Sequence, residues 1–283
     1  MAEKTRKQVE RVVGWAGGKG AVTDILMAHA PPTFNHFFEF FLGGAAMFLD
    51  LERAGRIIHG QAHLNDQLER LMILYRVIKA NPEELIKELK ELDNRYKSQE
   101  HYLRIRHYYN TGVGISDLHV AAMFMYLNRL CVNNLHRVNR KGHFNVNYRK
   151  DPNRDIVRED ALRNAHRAFQ KAHLYTGSYR RVLDLARPGD FVYLDPPYWP
   201  LTKTANFTSY SGEFGPAQQV ELAADCRELT RRGIQVMVNN AEHPEVRSLY
   251  SGWDIRTMYE GRGINSDPTK RGKVPALIIR NYI

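Results

Sequence analysis

The stretch FVYLDPPY, residues 191 to 198, decides the fold class of this chain. Its first four residues are bulky and apolar, which is typical of a strand buried on both faces of a parallel sheet. The two prolines fix φ and remove two N–H donors, so neither a strand nor a helix interior can continue through them. The stretch therefore predicts a buried strand that ends in a rigid turn.

The turn presents three groups that suit a planar amine. Open α/β sheets bind ligands at the carboxyl ends of their parallel strands, where this turn lies. Asp195 and the free carbonyl of Pro196 can accept the two N–H groups of an exocyclic amine, and Tyr198 can stack on its ring. A proline-rich strand exit with a solvated Asp195 is the alternative interpretation.

Strand and helix patterns alternate on both sides of this turn and predict an α/β fold with a Rossmann-like, mostly parallel sheet. The other predicted strands lie at residues 36–41, 56–64, 173–176, 234–238 and 276–279. The rhythm breaks between residues 69 and 157, where helical patterns dominate and NRKG at 139–142, followed by alternation to residue 148, is typical of a β-hairpin. We expect a catalytic domain of residues 1–68 and 158–283, with an inserted, mainly helical domain at 69–157 that carries the hairpin.

The charge balance favours a polyanionic partner. The 283 residues carry 41 Lys and Arg against 31 Asp and Glu, a formal net charge of +10 with a pI near 9.6. Lys and Arg gain free energy by displacing the counterions of phosphates. Basic and amide side chains, which suit phosphates and base edges, crowd residues 129–154, although a solvated hairpin would have the same composition. The candidate contacts there are Asn133, Arg137, Asn139, Arg140, Lys141 and Arg149.

Other classes of protein lack their signatures. The two cysteines are far apart in sequence, which excludes a disulfide framework or a cysteine zinc site, and the histidines have no metal-binding spacing. No apolar window suits a membrane span or a signal peptide. The glycine-rich GWAGGKG at 14–20 is not a phosphate loop, because Val13 and Gly20 stand where that motif needs Gly and Ser or Thr. We expect no metal, no membrane and a cytoplasmic protein.

Three features suit a cofactor with an amino-acid tail and a ribose. The glycine-rich turn with Lys19 can hold a carboxylate at a helix N-terminus. Gly43 and Gly44 allow a ligand to approach the backbone closely, and Asp66 at a strand end can accept from ribose hydroxyls. A helix cap is the commoner role of such an aspartate.

Together these residues resemble the Dam-type DNA adenine-N6 methyltransferases of bacteria and phages, which use S-adenosyl-L-methionine. The resemblance spans nearly the whole chain, and its motifs fall in the family's order. They are WAGGK at 15–19, FEFFLGG at 38–44, YLNR at 126–129, Asn133, Arg137, GHFNV at 142–146, DPPY at 195–198 and TANFTSY at 204–210. The C-terminal segment 271–282 looks like the branch of the family associated with restriction systems.

The resemblance implies the roles of particular residues. The flipped-out adenine would be held by Asp195, Pro196, Pro197 and Tyr198. S-adenosyl-L-methionine would be contacted by Trp15, Ala16, Gly17, Lys19, Glu39, Gly43, Asp66 and Asp195. The insert would recognise double-stranded DNA, with Arg137 at the position where the family's arginine reads a guanine in GATC or a related site.

The resemblance leaves other points open. Phe40 replaces the family's usual Pro, Ala45 an expected Gly, and Asn134 the usual Gly of the recognition segment, which leaves the target sequence open. A monomer, with or without a companion restriction endonuclease, near the nucleoid of a bacterial or phage-infected cell is the implied setting. A DNA-binding relative without catalysis, or methylation of cytosine N4 or RNA, are the alternative functions.

Overall fold

The computed structural model describes residues 11–15, 17–94, 97–151, 153–200, 214–261 and 272–283. Its seven-stranded sheet has the order β3-β2-β1-β4-β5-β7-β6. The strands are β1 (Phe37–Glu39), β2 (Ala62–Asp66), β3 (Ala172–Thr176), β4 (Phe191–Leu194), β5 (Gln235–Ala241), β6 (Asp254–Gly261) and β7 (Lys273–Arg280). Strands β1 to β5 pair in parallel, which confirms the predicted α/β class and the Rossmann-like, mostly parallel sheet.

The C-terminal part of the sheet differs from the sequence prediction. Strand β7 is antiparallel to both of its neighbours, β5 and β6, whereas the sequence predicted a parallel strand there. Strand β6 was not predicted at all. It lies at the edge of the sheet and exposes residues such as Arg256 and Thr257, so it lacks the apolar run that marks the buried strands.

Buried side chains alternate between the two faces of the sheet and join two separate hydrophobic clusters. Phe37 and Phe191 belong to one cluster, and their chain neighbours Phe38 and Val192 belong to the other. The helices are α1 (Thr23–His29), α2 (Ala46–Arg53), α3 (Glu69–Ala80), α4 (Pro82–Asn94), α5 (Gln99–Thr111), α6 (Asp117–Leu130), α7 (Glu159–Phe169), α8 (Arg180–Leu183), α9 (Pro216–Arg231) and α10 (Pro244–Leu249). Helices α1 to α7 contribute to the first cluster and α8 to α10 to the second. None of the helices in the described ranges is long and apolar enough to cross a membrane.

Helices α4, α5 and α6 occupy the region predicted as an insert. Their buried residues continue the cluster that contains α3 and the sheet residue Phe37, and the proposed division into domains stays a prediction. The predicted hairpin is reduced to two isolated antiparallel bridges, Cys131 with Tyr148 and Val138 with Phe144. The side chain of Asn110 bonds both the N–H and the carbonyl of Phe144, each at 2.9 Å.

Candidate active site

The site lies where the strand order reverses, between β1 and the central strand β4. In α/β sheets the crevice at this switch point is where ligands bind. Glu39 ends β1, and Asp195 directly follows β4. The two carboxylates therefore stand on neighbouring strands at the carboxyl edge of the sheet.

Lys19 joins the glycine-rich segment to the turn after β4. Its side chain is 5% exposed, and Nζ lies 3.1 Å from Asp195 Oδ1. The same ammonium donates to the Tyr198 hydroxyl at 2.6 Å and lies 4.4 Å from the centre of the Tyr198 ring. The structure brings Lys19 together with Asp195 and Tyr198, and its contact with a cofactor carboxylate stays a prediction.

A fourth residue, Glu260 on β6, completes this cluster. Tyr198 donates its hydroxyl to Glu260 Oε1 at 2.9 Å, and Lys19 Nζ lies 3.2 Å from the same oxygen. Glu260 was missed because β6 was not predicted, and a single acidic residue on an edge strand carries no sequence signal. Lys19 is thus shared by two carboxylates, Asp195 and Glu260.

Asp195 is held in an environment that opposes its ionisation. Burial raises the pKa of Asp195 to about 6; the Lys19 ammonium opposes this shift and the Glu260 charge adds to it. The carboxylate is therefore ionised at neutral pH while retaining a poorly hydrated surface. A poorly hydrated anion binds an incoming amine more strongly than a solvated one.

Two buried amides fix the DPPY turn. Gln219 on α9 donates to the Pro197 carbonyl at 2.7 Å and accepts from Asn240 Nδ2 at 2.9 Å. Asn240 Oδ1 accepts the Trp199 N–H at 2.9 Å. No described residue donates to the Pro196 carbonyl.

Beside this turn lies Asn239, a buried residue of strand β5. Leu194 of β4 pairs with Val238 of β5. Asp195 and Asn239 each come one residue later, so the two residues lie at the same level of the sheet. Asn239 is fully buried, and neither its Oδ1 nor its Nδ2 has a hydrogen-bond partner among the described residues. The polar pair Asn239 and Asn240 at the end of an apolar strand was a sequence signal that could have identified both residues.

The predicted cofactor residues Trp15, Gly43 and Asp66 meet at the β1 turn. Gly43 has φ +46°, donates its N–H to Asp66 Oδ2 at 2.9 Å and accepts from the Tyr75 hydroxyl at 2.6 Å. A side chain at Gly43 is excluded because its Cβ would lie 2.7 Å from the Trp15 ring. Asp66 Oδ1 also accepts the N–H of Leu68, the residue before helix α3, at 2.9 Å.

The carboxylates at the strand ends suit a cationic ligand. Glu39 is 3% exposed and accepts the Phe48 N–H at 3.0 Å. Burial raises the pKa values of Glu39 and Asp66, and the charge of Asp195 raises that of Glu39 further. A positively charged group bound among these carboxylates would relieve their mutual repulsion.

The candidate DNA contacts differ in their exposure and in the hydrogen bonds that they make within the protein. Arg137 is exposed, and its Nε donates to Asn145 Oδ1 at 2.9 Å. Arg140, Lys141 and Asn133 are also exposed, while Asn139 accepts the N–H groups of Lys141 and His143 and so stabilises its own turn. Arg149 is half-buried, and it donates to Asn134 Oδ1 at 3.0 Å and to the Cys131 carbonyl at 3.3 Å.

The glycine-rich segment is tied to helix α6. Asn128 accepts the Gly14 N–H and donates to the Gly14 carbonyl, both at 2.9 Å. Gly17, with φ +71°, places its carbonyl 3.2 Å from Lys19 Nζ. Ala16 and the TANFTSY motif at 204–210 lie outside the described residues. Across the residues that are described, no group of three or more His, Cys, Asp or Glu could hold a metal ion.

A central parallel strand that ends in a braced DPPY turn beside buried carboxylates defines an α/β enzyme of the methyltransferase class. The model of the D12 class N6 adenine-specific DNA methyltransferase family matches residues 15–264. The chain belongs to this family, and it is an adenine-specific DNA methyltransferase.

Three curated relatives match along almost their whole lengths. The Type II methyltransferase M1.LlaDCHI of Lactococcus lactis subsp. cremoris is 33% identical over 287 residues, covering 100% of this chain and 99% of the relative. The Type II methyltransferase M.MjaIII of Methanocaldococcus jannaschii is 32% identical, covering 97% and 100%. The DNA adenine methylase of Vibrio cholerae serotype O1 is 31% identical, covering 96% of each chain.

Proposed function

We propose that this enzyme transfers a methyl group from S-adenosyl-L-methionine to N6 of an adenine that is flipped out of duplex DNA. The observation that carries the proposal is the DPPY turn, whose Pro197 carbonyl is bonded by Gln219 while the Pro196 carbonyl has no described donor. A base inside the duplex cannot reach a buried carboxylate, so the adenine has to leave the stack.

Asp195 and the Pro196 carbonyl accept the two N–H groups of the amine and turn its lone pair toward the methyl group. Tyr198 stacks on the flipped ring. S-adenosyl-L-methionine supplies an electrophilic methyl group on a positively charged sulfonium. As the N6–C bond forms and the S–C bond breaks, positive charge grows on N6 beside Asp195, which stabilises the transition state more than the ground state. The methylated nitrogen then loses a proton to solvent.

The cofactor side of the site is formed by Trp15, Gly43, Asp66 and Glu39. The Trp15 ring against Gly43 closes one wall, and the buried Glu39 and Asp66 attract the cationic groups of the donor. We include Ala16, Gly17 and Lys19 among the cofactor residues because they belong to the glycine-rich sequence at 14–20. Lys19 acts through Asp195 and Tyr198 rather than through a cofactor carboxylate.

The DNA side of the site is the basic surface of residues 129–154. Arg137 reads a guanine, Arg140 and Lys141 contact phosphates, and Asn133 and Asn139 shape the loops that present them. The target is GATC or a related sequence, the enzyme acts as a monomer in a bacterial or phage-infected cell, and a restriction endonuclease is its candidate companion.

The test uses plasmid DNA from a strain without N6-methyladenine and S-adenosyl-L-methionine with a labelled methyl group. Nucleoside digestion of the product should yield labelled N6-methyl-2′-deoxyadenosine, and sequencing should map it to one short motif. Label in N4-methylcytosine, label that appears only with RNA, or DNA binding without any label would overturn the proposal. Asp195→Ala is the negative control.

A further inference from the structure

Glu260 is in contact with the reacting site, although it belongs to none of the motifs that mark the family. It lies on β6, distant in sequence from both the glycine-rich segment and the DPPY turn. Its Oε1 accepts the Tyr198 hydroxyl at 2.9 Å, and its Oε2 lies 3.4 Å from Lys19 Nζ. Its side chain is 15% exposed, so solvent screens these contacts only weakly.

The charge of the cluster depends on Glu260. Lys19 lies 3.1 Å from Asp195, and with these two groups alone the cluster would be neutral. A neutral pair would attract the developing positive charge on N6 less than a free carboxylate does. Adding Glu260 gives two carboxylates for one ammonium, so the cluster carries one net negative charge.

The geometry also fixes the position of Lys19. The ammonium is nearly equidistant from Asp195 Oδ1 at 3.1 Å and Glu260 Oε1 at 3.2 Å, and it donates to Tyr198 between them. Without Glu260, the remaining partners of the ammonium besides Asp195 would be neutral, namely the Tyr198 hydroxyl and the Gly17 carbonyl. Lys19 would then compete with the amine of the substrate for the same carboxylate oxygen.

We propose that Glu260 is a positioning residue for methyl transfer: it shares Lys19 with Asp195 and accepts from Tyr198, which leaves Asp195 free to accept the adenine amine. This inference rests on the proposed function. Glu260 acts through Lys19 and Tyr198 and touches neither the base nor the donor. Its contribution is therefore to kcat rather than to DNA affinity.

Glu260→Gln keeps the shape and removes the charge. We expect kcat to fall by about tenfold or more, the order of one lost charge-assisted hydrogen bond, with KM for DNA unchanged. In the double variant Lys19→Gln/Glu260→Gln, the loss should be smaller than the product of the two single losses, because Glu260 acts in part through Lys19. Losses that multiply in the double variant would overturn the mechanism.

The pH profile separates positioning from a structural role. Glu260 raises the pKa of Asp195 and Lys19 lowers it. The acidic limb of kcat/KM should therefore move to lower pH in Glu260→Gln and to higher pH in Lys19→Gln. Limbs that stay fixed, or that move in the same direction in both variants, contradict the proposal.

Glu242→Gln is the matched control. Glu242 is also bonded by a basic side chain, Arg247, and by a hydroxyl, Thr257, but it lies outside the cluster. This variant should keep the kcat and the pH profile of the wild type.

Titration of Asp195 by carbon-13 NMR in the unliganded protein needs no turnover. If the wild type places no label on N6 of adenine, the proposed function is wrong. If the pKa of Asp195 is the same in the wild type and in Glu260→Gln, the role given to Glu260 is wrong.

Discussion

Gln219 Nε2 lies 2.7 Å from the carbonyl oxygen of Pro197, and this bond distinguishes two adjacent carbonyls of the DPPY turn. The Pro197 carbonyl is used to hold the turn, whereas no described residue donates to the Pro196 carbonyl. Gln219 is in turn bonded by Asn240, and both side chains are fully buried. Because buried hydrogen bonds of this kind are not exchanged with water, the turn is held in place before the substrate arrives.

Gln219→Leu should impair both stability and catalysis. It leaves the Pro197 carbonyl and the Asn240 amide buried without partners, which costs about 1 to 3 kcal/mol of unfolding free energy for each group. Urea unfolding measures that loss, and single-turnover methylation measures the slower transfer from the displaced turn. The control is Gln218→Ala, which removes a bond to Gly215 at the start of the same helix. This variant should keep the transfer rate of the wild type. A normal transfer rate in Gln219→Leu would show that the brace has no role in catalysis.

Asp195→Ala should abolish methyl transfer and retain the fold and most of the DNA affinity. The lost acceptor raises the barrier by on the order of 3 kcal/mol or more, comparable to the loss of one oxyanion-hole donor. DNA affinity should be retained because the exposed basic residues that we propose to contact phosphate lie elsewhere. Labelled methyl transfer and a DNA-binding titration measure the two quantities. Turnover within tenfold of the wild type would exclude the role given to Asp195.

Methyl transfer should weaken as the pH falls through about 6. Burial raises the pKa of Asp195 to about 6, so the carboxyl takes up a proton in the folded enzyme well above its ordinary range. The protonated form has lost the charge that stabilises N6, and kcat/KM should therefore fall about tenfold for each pH unit below this value. The measurement is a pH profile at constant ionic strength. A profile that stays flat down to pH 5 would contradict it.

The sequence predicted the strands that are buried on both faces, because their apolar runs record that burial directly. It predicted the rigid turn of Asp195 to Tyr198 for a related reason, because two prolines after an apolar strand allow few backbone conformations. It could not predict that Gln219 and Glu260 join the site. Their roles come from tertiary contacts with residues far away in the chain, and neither position has a local pattern.

Two departures from the family pattern have a backbone explanation in the structure. Ala45 and Asn134 stand where glycine was expected, and both have positive φ, at 55° and 50°. Asparagine adopts this left-handed region more readily than other residues with a side chain, whereas alanine bears a larger cost. Asn134 also accepts from Arg149 and Arg154, bonds that glycine could not make. The sequence alone could not show that the basic side chains of residues 129–154 differ in how exposed they are.

Lys141 and Arg149 should therefore respond differently to replacement by alanine. Lys141 is exposed, so Lys141→Ala should reduce the salt dependence of DNA affinity by about one counterion without changing the preferred sequence. Arg149 is bonded to Asn134, so Arg149→Ala should lower the thermal stability in addition to any change in slope. Affinity measured from low to high salt and thermal melting test both. A DNA affinity that does not depend on salt would refute the phosphate contacts altogether.

Arg137→Ala should relax the choice of one base pair in the recognition site. Arg137 is exposed on the short hairpin, and its Nε is anchored on Asn145 Oδ1 at 2.9 Å, which leaves the two terminal nitrogens of the guanidinium to face a ligand. That fork matches O6 and N7 of guanine, a pair worth roughly 1 to 3 kcal/mol of discrimination. A phosphate contact is the competing role, and it would lower affinity equally for every sequence.

The two roles are separated by methylating one random DNA library with the wild type and with Arg137→Ala and sequencing the modified adenines. If Arg137 reads a base, the variant's recognition motif should lose preference at one position and keep the others, because the remaining contacts are unchanged. Asn145→Ala removes the anchor of Arg137 but keeps its guanidinium. This variant should weaken the base preference at the same position less than Arg137→Ala does. Arg140→Ala is the control for an exposed neighbouring charge and should lower yield without altering the motif. If the motifs of the wild type and Arg137→Ala coincide and only the yield falls, Arg137 is a backbone contact.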